Sequence, residues 1–538
     1  VSRVAFDNAR PVAESDPARM DIACFVGLAR VTGTALPAAI VDSLEQHGWT
    51  DGPLARSTDP PFADIPIPIE TYATFTSLFD PGGSASSYGT DYLATAVRSF
   101  FAQGGRRCYI VRMGDPVAPG DDAVAQNGVS GKAQKLAALM PGSLYAPDDR
   151  RSWHGAGHLG GLPDVSFLAL PDLPALCASA PTAATGVTVV VPAGPSQFVE
   201  CTPPGAVAVP RPLYALPAPR LTQDDYDQRW APSVDAILSY LRQSNIREIQ
   251  FVAAFPLPQD LDAAAAVENP DSAMLAQDIH DVIQDQMPEN ISGGTDADPP
   301  ADPGLSTAFL QLSYPWLKTT GSFVLNESLE PPDGALVGIL ARNALTRGSF
   351  MNATKIVPAE ISDVWPPIPA QDTQVPSTAL DWGANSPAKP LIIRLSLFGF
   401  TPAGLRLLSD VTTYPGESYR PACVHRLVAV ISRAARQLGE RVTFAQNGPA
   451  LWRSVENSLG QLMTQLWLSN ALDGASIQQA FSVRCDASTM TQNDLDNGRL
   501  IALVTFNAAA SIELIRVTLA LETSGASAQG IAAMAQAS

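Results

Sequence analysis

The sequence predicts an α/β domain with a largely parallel sheet, followed by an α+β domain. Two observations carry this. Up to about residue 398, short apolar runs alternate with amphipathic helical patterns, and beyond it the order changes to helices followed by strands. A third observation supports the first domain: Asp91 to Met113 reads as a helix with Leu93, Val97, Phe100 and Phe101 on its buried side, a Gly104-Gly105 stop and a strand Cys108 to Arg112. That is the order of a crossover unit.

Val1 to Met20 is polar, alternating briefly at Val4 and Phe6, and reads as an extended arm over residues 1–20 able to add as an edge strand elsewhere. The α/β domain is then expected over 21–395. Its strands are Ile22 to Val26, Cys108 to Arg112, Val165 to Leu170, Val187 to Val191, Glu248 to Ala254 and Leu391 to Phe398, with helices near Tyr92, Val234 and Leu336. Segments rich in Gly, Pro, Ala and polar residues, about 114–158, 192–230 and 256–303, read as surface insertions.

Around Leu336 the chain is more specific. Pro331 and Pro332 stiffen an extended approach, Gly334 permits a close turn, and a helix follows with Leu336, Ile339 and Leu340 inward. Arg342 and Arg347 fall near its C-terminal end, where they serve as a local cap or meet an acidic neighbour.

The α+β domain, expected over 396–523, begins with helices at Ala422 to Gln437 and Leu451 to Leu468. In the second, Trp452, Val455, Leu459, Leu462, Met463 and Leu466 make one apolar stripe. Strands follow at Phe481 to Cys485, Leu500 to Phe506 and Ile512 to Leu521, the last with Ile515, Val517, Leu519 and Leu521 on one face. Residues 524–538 are small and polar and are expected to form a mobile tail.

Composition narrows the function. With 46% hydrophobic residues, 538 residues can bury large cores, which excludes general disorder and suggests about two to four domains. No run reaches the roughly 18 apolar residues of a membrane span, and Val1 to Met20 lacks signal-peptide blocks, so folding in the cytosol without direct membrane insertion is expected. A net charge of -19 argues against a broad nucleic-acid surface. The six cysteines lack CxxC spacing and read as reduced core thiols, with no cofactor or metal implied.

Two stretches invite chemistry. WHGAGHLGG at Trp153 to Gly161 resembles the setting of a subtilase histidine, but no glycine-preceded serine on a helix accompanies it; Ser488-Thr489-Met490 and Ser306-Thr307 do not qualify. His154 and His158 would share a metal only on a helix, and the four glycines around them read as a polar surface loop. The helix Ala422 to Gln437 carries His425, Arg426, Arg433 and Arg436 on one side and Leu427, Val430, Ile431 and Ala434 on another. A basic face on an acidic protein is either solvated or a docking surface for an acidic partner.

Tyr314 to Leu317 (YPWL) and Leu329 to Phe350 (LEPPDGALVGILARNALTRGSF) together resemble a signature of the contractile sheath family of phage tails and phage-tail-like injection systems. Pro331, Pro332, Gly334, Gly338, Ala341, Arg342, Arg347 and Gly348 stand at matching places, while Asp333, Asn343 and Phe350 replace the family's Ser, Asp and Trp. The Asp91 to Met113 order, and the segment from Gly439 to Cys485 with Asp494, Asp496 and Gly498, are similar to further family phrases, so the resemblance runs with gaps from about Asp21 to about Leu521. It implies a subtilisin-like α/β domain, no enzymatic activity, and assembly as a helical stack of rings, hexameric in the family. The partners it implies are an inner tube protein and baseplate and cap or terminator proteins, in a particle assembled in the cytoplasm. The resemblance also places His425, Arg426, Arg433 and Arg436 towards the tube. Val4 and Phe6, with Ile515, Val517, Leu519 and Leu521, become inter-subunit arm strands, against the alternative that Ile512 to Leu521 closes its own sheet. A baseplate- or cap-proximal sheath paralogue and, less favoured, a subtilisin-like hydrolase are the other readings.

Overall fold

The structure is a computed structural model that describes residues 19–33, 35–46, 49, 62–79, 90–118, 121, 129–142, 149–179, 217–258, 305–368, 391–414, 416, 419–442, 445–496, 499–509 and 514–521. Val4 and Phe6, the strand expected at Val187 to Val191, Cys201, most of the expected insertions 192–230 and 256–303, and the tail 524–538 lie outside these residues.

Eight strands form one mixed sheet, in the spatial order Gly404–Leu407, Ser396–Thr401, Leu310–Tyr314, Gln250–Ala254, Phe167–Ala169, Ala23–Gly27, Cys108–Arg112 and Pro66–Ile69. The six inner strands are parallel, and each edge carries one antiparallel strand. Inner strands are covered on both faces, so ACFVG and CYIVR are buried throughout and show no alternation. The fold class is therefore mixed α/β, as the alternation of runs predicts.

Two helices seal one part of the sheet. Tyr92–Ala102 packs on strand Ala23–Gly27, and Asp333–Thr346 packs on strands Gln250–Ala254, Phe167–Ala169 and Leu310–Tyr314. The helices also press on each other, through the glycines of the Leu329 to Phe350 segment. A Cβ on Gly334 would lie 2.5 Å from the Ala96 Cα, and one on Gly338 would lie 2.6 Å from the Phe100 carbonyl oxygen. Only glycine permits this approach without displacing backbone.

A second hydrophobic cluster gathers the helices Ala422–Val442 and Pro449–Leu468 with a three-stranded antiparallel sheet, Phe481–Arg484, Leu500–Asn507 and Leu514–Leu521. Leu500–Asn507 alternates buried and half-buried residues, as a sheet covered on one face should. Among the described residues no helix is long and apolar enough to cross a membrane. Cys24, Cys108, Cys177, Cys423 and Cys485 are buried free thiols.

Several boundaries differ from the sequence expectation. The strand Ser396–Thr401, assigned by a boundary at 396 to the second domain, pairs with Leu310–Tyr314 in the first sheet, and Leu397, Phe398 and Leu407 belong to the first core. The change of core falls between Leu407 and Tyr419. Met20, expected in the arm, is buried in the second cluster. Nor is 114–158 only surface: Gly131–Leu139 is helical, and Trp153 packs edge-on against Trp49 in the first core. In the 192–230 segment, Tyr226 and Trp230 stack on each other inside that core. Bulky aromatics at the ends of polar, Gly- and Pro-rich stretches anchor them to the core, which composition averaged over a window conceals.

Candidate functional site

The basic helix is the clearest correction. In Ala422–Val442 the side of the helix carrying His425, Arg426 and Arg433 is buried, because these residues face the first domain. Arg426 is 1% exposed and binds Asp410, 0% exposed, through two hydrogen bonds of 3.1 and 2.6 Å. Its Nε donates to the Ser349 carbonyl at 2.8 Å and its Nη2 also to the Met351 carbonyl at 3.4 Å, so all three guanidinium nitrogens are engaged. Burial alone would lower the Arg426 pKa, but the Asp410 charge and hydrogen bonds outweigh it and raise it. Asp410 also accepts the Ala353 N–H at 2.8 Å and the Gln311 side-chain amide at 3.0 Å.

One helical repeat on, Arg433 donates to the carbonyls of Arg19 at 2.8 Å and Val165 at 2.7 Å and to the Ser166 hydroxyl at 3.1 Å. Burial lowers its pKa to about 10, since carbonyls rather than a carboxylate receive it. Only Arg436 is partly open, and it pairs with Glu248 at 3.2 Å and the Pro163 carbonyl at 3.1 Å. His425 lies edge-on to Phe309 at 4.9 Å, and neither ring nitrogen has a hydrogen-bond partner among the described residues. Burial, helped by the neighbouring Arg426 charge, holds its pKa down at about 3, so the ring is neutral. These four residues do not form an exposed tube-facing surface within the subunit. They join the helix to the first domain.

The histidine pair is also more than a loop. Gly155–Gly161 is a 3-10 helix, and Asp64 binds both rings, His154 Nδ1 at 2.6 Å and His158 Nε2 at 2.8 Å, while accepting the Gly155 N–H at 3.0 Å. His158 is fully buried, edge-on to Trp49. Glycine spacing suggested a loop because it does not reveal that a carboxylate 90 residues earlier would order the turn. Burial pushes the Asp64 carboxyl up, but the hydrogen bond and charge of His158, the Gly155 N–H and the charge of His154 outweigh it and hold the pKa below the usual range.

Asp64 therefore contributes stability above about pH 4 that is lost as pH falls through its folded value. Asp64→Ala should cost about 1–3 kcal/mol by stranding His158. Limited proteolysis should then cut first near residues 149–161; an unchanged unfolding midpoint and cleavage pattern would show that the clamp does nothing. Among the described residues no group of three or more His, Cys, Asp or Glu can hold a metal ion.

The remaining residues singled out by sequence fall into two groups. Pro331, Pro332, Gly334 and Gly338 are buried at the helix contact described above. Arg342 donates to the Val357 carbonyl at 3.4 Å, and Arg347 to Asn343 Oδ1 at 3.1 Å and the Asn352 carbonyl at 2.9 Å, so both make local contacts within the chain. Gly348, at φ +103°, takes the left-handed turn just beyond the helix. Ile515, Val517, Leu519 and Leu521 lie in a strand that pairs with Leu500–Asn507 of the same chain, opposite Phe506, Val504, Ala502 and Leu500. That is the self-closing arrangement, and it leaves this strand at the edge of its sheet. Sequence reasoning missed Asp64, Asp410 and the buried carboxyls Asp172 and Glu330. Glu330 alone had a signal, its place beside the Pro331-Pro332 pair.

No family model matches the sequence, and no curated protein does. Solved structures do. A chain of the anti-feeding prophage baseplate, 6-fold symmetrised, aligns with a TM-score of 0.51 at 16% identity, covering 91% of this chain and 90% of that one. A chain of the same system's baseplate in the contracted state gives 0.50 at 17% identity over 94% of each. A chain of its helical sheath in the contracted state gives 0.49 at 16%, over 94% of this chain and 96% of that one. The first two span nearly the whole of both chains, and the motifs at Tyr314 to Leu317 and Leu329 to Phe350 lie in the strand and helix of the first core. The chain has the fold of these two anti-feeding prophage baseplate chains.

Proposed function

We propose that this protein is the structural subunit of a contractile sheath, in a phage tail or a phage-tail-like injection system. The observation that carries the reading is the coincidence of that fold, over nearly the full chain, with the Pro331 to Gly348 motif at the helix contact of the core. Identical subunits contacting head to tail build a helical cylinder around an inner tube, as a stack of rings that is hexameric in this reading. Baseplate and cap or terminator proteins bound its ends. Contraction is a change from a metastable lattice to a shorter, wider one. Phe323, Phe400 and Leu468, large apolar side chains left exposed, offer contact area for neighbouring copies.

In this reading the α/β domain is subtilisin-like in layout and catalytically idle. Asp64 engages both His154 and His158, and no serine motif accompanies them. The subunit assembles in the cytoplasm as part of a particle. Residues 1–20 act as an arm, with Val4 and Phe6 adding to the edge strand Leu514–Leu521 of a neighbour, because a main-chain ladder survives rigid-body motion that breaks side-chain contacts.

Electron microscopy of particles purified with this chain tests the assembly. Many copies per particle along a tube are expected, and a single ring would identify a baseplate- or cap-proximal paralogue instead. Deleting residues 1–10 should leave the circular dichroism spectrum unchanged and yield monomers or short oligomers. Full-length sheaths from that deletion would remove the arm from the account.

A further inference from the structure

Four carboxyl side chains are buried beside helices Tyr92–Ala102 and Asp333–Thr346, where these pack on inner strands of the sheet. Asp172 follows strand Phe167–Ala169, and its Oδ2 accepts the Leu28 N–H at 2.7 Å, just beyond the end of strand Ala23–Gly27. The approach is so close that a Cβ on Gly27 would lie 2.3 Å from that oxygen. Asp91 and Asp333 stand at the starts of helices Tyr92–Ala102 and Asp333–Thr346, and both interact electrostatically with Asp172. Glu330 completes the group, with Oε1 2.5 Å from the Ser99 hydroxyl and Oε2 3.0 Å from the Thr319 hydroxyl. Glu330 and Asp333 are both 0% exposed, and Asp333 Oδ2 has no hydrogen-bond partner among the described residues.

The charged surroundings do not balance this group. Arg98, the cation that acts on Glu330, is half-exposed and directed to Thr320 and Glu360. Buried Tyr92 feels the charges of both Asp172 and Arg220, and Arg220 is already paired with Glu327 at 2.9 Å. A helix N-terminus normally favours a carboxylate. Here Asp333 accepts the Gly334 N–H at 2.8 Å, yet burial wins and raises its pKa to about 7; burial raises Glu330 to about 8 and Asp172 well above its usual value.

We propose that Asp172, Glu330 and Asp333 form a proton-operated latch. With protons on, they seat helices Tyr92–Ala102 and Asp333–Thr346 against the sheet, Glu330 through Ser99 in the last turn of the first helix and Asp333 at the start of the second; when the protons leave, the like charges drive the helices apart and admit water. The inference rests on the fold alone, so it stands or falls independently of the sheath reading.

The sign follows from linkage. A carboxyl raised above its unfolded value gives stability that is complete at acid pH and is lost as pH rises through the folded value. Urea unfolding of the full chain at constant ionic strength between about pH 6.5 and 8 isolates this effect. Below that window His425 acts in the opposite sense, and above it the buried thiols add their own alkaline loss. The folding constant should fall by about tenfold per pH unit for each titrating carboxyl. In a Glu330→Gln, Asp333→Asn double variant the fall should be shallower by about tenfold per unit between about pH 7 and 8, where of the two only Glu330 still titrates, and by more below about pH 7, where both do.

Equal slopes in the two proteins, or a wild-type midpoint that is flat or rises, would overturn the latch. If the variant does not fold, hydrogen exchange of the wild type decides. After correction for intrinsic rates, peptides covering residues 92–102 and 333–346 should lose protection across the window while those covering 422–442 keep it. Protection that is constant in all three, or lost equally, would overturn it.

Discussion

Arg426→Ala is expected to lower stability by about 3–5 kcal/mol, because truncating one partner of a buried pair strands the other charge. The Asp410 side chain is 0% exposed and accepts hydrogen bonds from Ala353 and Gln311 as well as from the guanidinium, so it cannot turn to water when Arg426 is removed. The loss should appear in the urea midpoint, with both cores affected, since Arg426 sits on a helix of the second and Asp410 packs with strands of the first. A combined Arg426→Met, Asp410→Asn variant removes both charges and should recover much of the deficit. A single-variant cost below about 1 kcal/mol would mean that water replaces the guanidinium. Charge reversal at Arg426 and Arg433 tests the same contacts more severely: it should abolish folding, where an exposed stripe would have affected assembly alone.

Gly334→Ala and Gly338→Ala should each destabilise the protein by about 1–3 kcal/mol, the usual cost of overpacking. Elsewhere in a helix this exchange gains about 0.5–1 kcal/mol. Here the new methyl meets backbone, 2.5 Å from the Ala96 Cα at Gly334 and 2.6 Å from the Phe100 oxygen at Gly338, so a rotamer change cannot relieve it. Helices Tyr92–Ala102 and Asp333–Thr346 must then separate. Thermal melting of each variant is the measurement, and a raised midpoint in either would show slack at that contact.

The architecture was legible wherever burial on both faces left continuous apolar runs, as at Cys108–Arg112 and Gln250–Ala254. The strand Leu310–Tyr314 was not, because Gln311 and Ser313 interrupt its pattern. Both are buried, Gln311 donating to Ser396 at 2.8 Å and Ser313 to the Ala253 carbonyl at 3.2 Å. The same limit governed the candidate site. Helical periodicity located His425, Arg426, Arg433 and Arg436 on one side of one helix, but it carries no information on what that side meets. The receiving groups, Asp410, Ser349, Val165 and Arg19, come from four separate places in the chain. Likewise the motif Pro331 to Gly348 was visible, and its glycines make the helix contact, whereas the carboxyl cluster beside it depends on Asp172, brought in from another strand end.

The bond from Arg433 to the Arg19 carbonyl has a mechanical meaning. Met20 is seated in the second hydrophobic cluster, while Ala23 opens an inner strand of the first sheet only three residues later. Tension entering the chain ahead of Arg19 therefore reaches helix Ala422–Val442 before it reaches that strand. Arg433 carries the load sideways into the carbonyls at Asp164 and Val165, and Arg426 carries it on to Asp410, so that it is shared by several hydrogen bonds in parallel rather than peeling one strand from its edge. The amino-terminal attachment thus engages both halves of the molecule at once, the second cluster through Met20 and the first domain through the carbonyls that Arg433 binds.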